Sequence, residues 1–527
     1  MKIKRKKRSR AACALTAGLM IFSVSGALTG CGGPKEGDTK NAVVNQAEAM
    51  KTLAYKVTDV PIDDISSVVC KNGKYYGTKH TSETKGEGDD MVYLYSTDIV
   101  EFDETGTVTM TIPIFHPTEP NQYGGIQSGI MVDDEGNIVV LTYESTYHED
   151  NGEYDEKAFI CKFAPDGSEI SRVDANTLVT EEEQQNEMWL QNVLIDKNGN
   201  LILNLYSVVR VCDSQGNKIF DTEKINTENS WSNGMFMTNS GVPAVAIYDY
   251  SEDTSKYIIK EIDVEAKGFG KEYEMSANNM GGQTYGGSGD YLCYYSGDTG
   301  ISGVRADTLE TEQVINLLNI GVDNSNINEF AVNEDGSFIL TGYANDGGVY
   351  KQIMSLVQPV DMSEVKEKKI LSLGCFYIDW NVRSKVAKFN KENDEYTISV
   401  TSYSENNDTS DWQAAMTKFN NEILAGKVPD ILQINDQMPY DSYAAKGLFT
   451  NMYELMEKDG SVSKESFLPN VLTALETNGK LYSLCSTFNV STYVGKKSVI
   501  GDTTSMTMEE AKGYLAQLEP EAVLTSD

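Results

Sequence analysis

Arginine and histidine are nearly absent from this sequence. Beyond the first ten residues only Arg172, Arg210, Arg305 and Arg383 occur, too few to expect an arginine cluster that grips an acidic sugar. His80, His116 and His148 are isolated and none forms a His-Glu-x-x-His pair, which excludes the helical zinc-hydrolase pattern. There is no Walker sequence and no dinucleotide glycine fingerprint. Gly286-Gly287-Ser288-Gly289-Asp290 misses the Gly-x-Ser-x-Gly nucleophile pattern at its last position. Cys70, Cys161, Cys212, Cys293, Cys375 and Cys485 are irregularly spaced, without metal-ligand spacing or a dense disulfide framework. The expectation is buried thiols with room for one chance bridge, no metal, no cofactor and no enzyme activity.

The charge is one-sided: 44 basic against 79 acidic residues, a formal −35. Seven of the cations, Lys2, Lys4, Arg5, Lys6, Lys7, Arg8 and Arg10, lie ahead of a mostly apolar run from Ala11 to Leu28. So acidic a body repels phosphate backbones, which argues against nucleic acid as a partner. A positive segment, a short apolar segment and small residues before a cut are the parts of a secretory signal; an uncleaved anchor helix is the alternative. Leu28-Thr29-Gly30-Cys31 resembles the lipobox of bacterial lipoproteins. That resemblance implies cleavage between Gly30 and Cys31, lipid on Cys31, and a location on the outer side of the cell membrane. Two acyl chains anchor durably where one does not. Residues 31–51 lack an apolar period and read as a flexible tether.

Residues 52–360 show little helical period and a recurring hairpin signal. It occurs at Asp133-Asp134-Glu135-Gly136-Asn137, Asp196-Lys197-Asn198-Gly199-Asn200 and Asn333-Glu334-Asp335-Gly336-Ser337, with shorter relatives ending in Gly106, Gly167 and Gly216. Asp or Asn ahead of Gly between β-prone runs is tight-turn chemistry. The runs that follow, such as Ile138 to Leu141, are continuously apolar, as in strands buried on both faces. Four-stranded units with two buried faces pack face to face, and closing them in a ring shortens the exposed edges. The expectation is a β-propeller of about six blades, starting near Ile65, Ile126, Met188, Gly234, Gly287 and Ile327. A seventh blade, or one completed by a strand from the start of the chain, stays open, and the rival is a two-sheet stack. The turn acids and glycines are expected to build hairpins rather than a catalytic site.

Residues 361–369 read as a charged linker. After them strands and helices alternate: a strand at Ile370 to Phe376, a helix with Val382, Val386 and Phe389 in step, a strand at Tyr396 to Ser402, a helix with Trp412, Met416 and Phe419, a strand at Pro429 to Ile434, and a helix over Tyr443 to Met456. This pattern makes a parallel sheet covered by helices. Asp379-Trp380-Asn381-Val382-Arg383, Ala425-Gly426-Lys427-Val428-Pro429-Asp430-Ile431, Lys446-Gly447-Leu448-Phe449 and Asn478-Gly479-Lys480-Leu481-Tyr482-Ser483-Leu484 occur in order. This series resembles the opening of bacterial extracellular solute-binding proteins of the sugar-binding type. The resemblance covers about residues 368–527 and implies the first α/β lobe of a periplasmic-binding-protein-like fold in 370–527. It also implies a small solute of the sugar class and an ABC permease as partners. Only one lobe and the entry to a second are present, so a fragment of a longer protein is expected over an open half-site.

Ligands of open α/β sheets sit beyond the carboxyl ends of the strands. Candidate ligand contacts are therefore Asp379, Trp380, Asn435 and Asp436, with Tyr440 and Phe488 behind them. Trp380 can stack on a sugar face and the polar groups can accept from hydroxyls. Against this, Asp379 can simply cap a helix, Trp380 can be core, and Asn435 and Asp436 can be turn formers. The alternative function is a surface binding or adhesion module whose propeller recognises glycan or protein.

Overall fold

The computed structural model describes residues 53–86, 91–250, 256–276, 283–346, 349–404, 412–485, 488, 496–502 and 505–516. The expected signal segment, Gly30, Cys31 and the expected tether lie outside the described residues. Each Asp-Gly motif closes a hairpin by local chemistry. Asp133 Oδ1 accepts the backbone N–H groups of Glu135 and Asn137 at 3.0 and 2.8 Å, and Gly136, at φ +83°, donates to the Asp133 carbonyl. Asp103, Asp196 and Asp213 repeat this ahead of Gly106, Gly199 and Gly216. A residue with a Cβ is penalised at such φ, and the leading carboxylate occupies N–H groups the turn leaves unpaired.

The turns join strands into six antiparallel meanders. Blade 1 runs Ile65–Lys71, Lys74–Lys85, Val92–Phe102, Val108–Phe115. Blade 2 has an inner strand in two pieces, Gln122–Ile126 and Met131–Val132, followed by Ile138–His148, Glu153–Phe163 and Glu169–Asp174. Blades 3, 4 and 5 open with Met188–Ile195, Ser230–Met237 and Thr284–Ser288. Blade 6 takes Ile327–Val332, Phe338–Asp346 and Val349–Pro359 and borrows Tyr55–Asp59 as its outer strand, with Tyr55 opposite Pro359 and Asp59 opposite Ser355. Neighbouring blades touch around the ring, the first strand of blade 6 against that of blade 1 and the first strand of blade 3 against Ile138–His148 of blade 2. The protein is therefore a six-bladed propeller rather than a two-sheet stack, closed by a strand from the start of the chain.

The apolar runs explain the ring. Ile138, Val139, Val140 and Leu141 are all fully buried. Ile138 and Val140 pack with Tyr76, Ile99 and Ile112 of blade 1, whereas Val139 and Leu141 pack with Val193, Ile195 and Leu203 of blade 3. Apolar clusters fill the other four gaps between blades as well. Each such side chain is worth about 1.5–3 kcal/mol in burial, so a strand with apolar residues on both faces is stable only between two neighbours. Cys161, Cys212, Cys293 and Cys375 are buried and, with Cys70 and Cys485, unbridged. Burial pushes the Cys212 thiol up to about 11.

Beyond the propeller, Lys369–Cys375 pairs in parallel with Tyr396–Ser402 on one side and Ile431–Leu432 on the other. The helices Trp380–Glu392 and Trp412–Leu424 bury Val386 and Ala387, and Ala415, Met416, Phe419 and Ile423. Pro429 and Asp430 set the short third strand: Asp430 Oδ2 accepts from Ser372 N and Oγ at 2.8 and 2.7 Å. At Gly374 an added Cβ would come within 3.0 Å of Pro429 Cγ.

The chain divides into two compact units between Pro439 and Tyr440, so this small sheet belongs to the propeller's unit. It is seated on the loop that follows blade 5. Leu318 is buried among Leu373, Cys375, Val386 and Val400, Asn319 Oδ1 accepts from Val400 N at 3.1 Å, and Asn390 Nδ2 donates to Leu318 O at 2.9 Å. The second unit has its own core of Tyr453, Leu472 and Leu481. Its expected single helix over Tyr443 to Met456 is two, Tyr440–Ala445 and Met452–Asp459. Gly447, at φ +70°, ends the first, and Leu448 N donates to Tyr443 O, the pattern of a helix stop. Asn478 and Gly479, both at positive φ, turn a two-pair hairpin that buries Leu481. Among the described residues no helix is long and apolar enough to cross a membrane.

Candidate functional site

The carboxyl ends of the parallel strands form one candidate. The central strand continues into Tyr377-Ile378-Asp379-Trp380 and the third into Gln433-Ile434-Asn435-Asp436. Gln433 ties these loops together: its Oε1 accepts from Asp379 N at 3.0 Å and its Nε2 donates to Tyr377 O at 2.8 Å. The Asp379 carboxylate accepts from Asn381 N at 2.9 Å and caps the following helix. Trp380 is 70% exposed and Tyr377 nearly half exposed, so Trp380 is no part of the core. Asn435 Oδ1 accepts from Gln437 N at 3.0 Å within a turn, and Asp436 is exposed. Tyr440 and Phe488 belong to the second compact unit. There Tyr440 stacks on Phe449 with ring centres 5.4 Å apart, and Phe488 is half exposed.

Asp298 is a further member of this corner, supplied by the propeller. It lies in the loop between the second and third strands of blade 5, and its carboxylate pairs with Arg383. Its Oδ2 also accepts from Ile378 N at 3.1 Å and from Ser402 Oγ at 3.0 Å. No signal in Gly297-Asp298-Thr299-Gly300 distinguishes it from the other turns, because its partners lie 80 or more positions ahead.

A second candidate is on the propeller. An antiparallel meander puts its first–second and third–fourth turns, the Asp-Gly motifs, on one side of the ring. The second–third hairpins and the connections between blades fall on the other. Exposed aromatic side chains gather at that other side: Tyr93 and Tyr95 in blade 1, Tyr123 and Tyr154 in blade 2, Trp189 and Tyr206 in blade 3, Trp231 and Tyr250 in blade 4, Tyr350 in blade 6. Tyr143 and Tyr343 are exposed at mid-strand. Several are in ring contact: Trp189 with Tyr206 at 5.7 Å between centres, Trp231 with the half-buried Tyr248 at 4.9 Å, and Tyr154 with the half-buried Tyr147 at 4.9 Å. The small parallel sheet sits on this same side, over blade 5.

Between blades 1 and 2 the aromatic side opens into a cleft of about 480 Å³ lined by Met91, Val92, Tyr93, Tyr95, Pro120, Gln122, Tyr123, Gly124 and Tyr143. Tyr93 and Tyr95 are stacked 6.4 Å apart. Across from them, Gly124 allows blade 2 to approach closely; an added Cβ would lie 2.6 Å from the Phe115 ring and 2.7 Å from Tyr143 O. Among the described residues no charged side chain lines the cleft. A larger hollow of about 760 Å³ beside Tyr55–Asp59 and the helix Trp380–Glu392 holds none of the expected contacts. Two of its cations are committed, Lys366 to Asp394 at 2.7 Å and Lys368 to the Asn390 carbonyl at 3.0 Å.

No family model matches the chain, and no curated protein matches it. Solved structures do. A gluconolactonase from Xanthomonas campestris is 9% identical, covers 57% of this chain and 97% of its own, and has a TM-score of 0.28. The β-propeller domain of the Trilobed protease from Pyrococcus furiosus is 10% identical, covering 56% of this chain and 82% of its own with a TM-score of 0.28. The Bombyx mori GH32 β-fructofuranosidase is 12% identical, covering 59% and 64%, with a TM-score of 0.27. At these scores the likeness decides nothing about activity. The propeller assignment rests on the strand pairing itself.

Proposed function

We propose that this chain is a lipid-anchored, extracellular carbohydrate-binding protein that delivers its solute to the permease of an ABC importer and transforms nothing itself. One observation carries this: a parallel sheet whose carboxyl ends, cross-linked by Gln433, present Trp380 and Tyr377 to solvent. The ordered motif series after Ile370 and the lipobox at Cys31 support it. Strand order also supports it. The central strand has its successor on one side and the third strand on the other, the topological switch at which open α/β sheets bind ligands. Asp436 supplies an exposed carboxylate to accept from sugar hydroxyls, and Trp380 a ring for the sugar's apolar face. Titration calorimetry of the protein against a panel of neutral oligosaccharides tests this. Saturable heat with one of them is expected, weakened about tenfold by Trp380→Ala. No heat with any member of the panel overturns the proposal.

The aromatic side of the propeller favours a second role, recognition of surface or environmental polymer by the ring. Contiguous exposed aromatic surface marks binding surfaces, and the uptake role alone leaves it unused.

A further inference from the structure

We infer that the cleft between blades 1 and 2 is a binding site for a neutral glycan chain, separate from the carboxyl-end corner of the parallel sheet. The inference rests on the surface-recognition role above and gives it a location and a ligand class. Its walls are two pairs of tyrosines from different blades, Tyr93 with Tyr95 and Tyr123 with Tyr143, each 40% exposed or more. A tyrosine offers a flat apolar ring for the C–H face of a pyranose and a hydroxyl at its rim for the sugar's own hydroxyls. The cleft volume of about 480 Å³ falls within the range of small-ligand sites.

Charge selects among ligands. Among the described residues the lining is uncharged while the whole chain carries −35, so an anionic polymer is repelled before contact. A proline-rich peptide would use the same rings, and its binding in place of glycan is an outcome of the test.

The experiment is affinity electrophoresis of the whole protein through gels containing amylopectin, galactomannan or arabinoxylan, with polygalacturonate as the anionic comparison and decaproline titrated in solution. Retardation by at least one neutral polymer is expected, and none by polygalacturonate. Tyr95→Ala combined with Tyr123→Ala should weaken the retardation at least about tenfold. Tyr95→Phe, which keeps the ring, should stay within about threefold of the unaltered protein, which separates stacking from a folding defect. If the unaltered protein runs freely in every neutral gel, both the cleft assignment and the surface-recognition role fall. If it is retarded but the double variant is retarded equally, glycan recognition stands and the cleft assignment is overturned. Decaproline binding without glycan binding also overturns it.

Discussion

The two sides of the propeller are built on different principles. On the Asp-Gly side the turns led by Asp103, Asp133, Asp196 and Asp213 are each complete within five residues: the Asp accepts its own neighbours' N–H groups and a glycine takes the positive φ. On the opposite side the loops are irregular, and they are held by side chains reaching across long stretches of sequence. Arg210, whose side chain is only 3% exposed, bonds Asp221 at 2.7 Å, Glu183 at 2.6 Å and the Leu178 carbonyl at 2.5 Å. Asp298 reaches Ile378, Arg383 and Ser402. A surface built from self-contained turns has little left over for a partner. A surface held from beneath by distant contacts can vary its loops and carry exposed rings.

The sharpest test of this contrast removes an underlying support. Arg210→Ala strands the Asp221 and Glu183 carboxylates and leaves the loop after blade 2 unheld; a loss of about 3–5 kcal/mol is expected, read from urea midpoints. A change smaller than that of a turn variant would erase the distinction between the two sides. On the Asp-Gly side, Gly136→Val forces a side chain into positive φ beside Pro165. About 1–2 kcal/mol should be lost, with glycan retardation unchanged. The smallest effect is acid sensitivity. The hydrogen bond from Arg210 holds the Glu183 carboxyl down to about 2, from an ordinary value of 4.5. A group whose folded-state value is depressed contributes stability above its unfolded value and loses it as pH falls toward the folded one. Melting temperature should therefore drop between pH 4.5 and about 2, by an amount worth about 1 kcal/mol for a partly exposed pair. Glu183→Gln should flatten that part of the profile.

The same contrast explains what could be seen in the sequence. The blades were legible because turn chemistry and doubly buried runs are local: Asp133 to Asn137 identifies its own hairpin, and Ile138 to Leu141 its own two neighbours. The carboxyl-end corner was partly legible, since strand–helix alternation locates Asp379 and Trp380 and the turn at Asn435. That Asp379 spends its carboxylate on capping Asn381 N was foreseeable as an alternative but not decidable without the helix start. Closure by Tyr55–Asp59 was one option among three, because nothing in Tyr55-Lys56-Val57-Thr58-Asp59 names a partner some 300 positions away. The aromatic side was invisible for another reason. Tyr93, Tyr154, Trp189, Trp231 and Tyr350 share no motif, only a place in the meander, and that place exists once the strands are paired.

The borrowed strand has a mechanical meaning. Any pull on the residues ahead of Tyr55 reaches the ring through an edge strand held by five residue pairs, Tyr55–Pro359 to Asp59–Ser355. Strain therefore meets the clasp before it meets a blade. Under load the circle would be undone at its seam while blades 1 to 5 kept their own strands, and reclosing would need only that short segment to find its edge again.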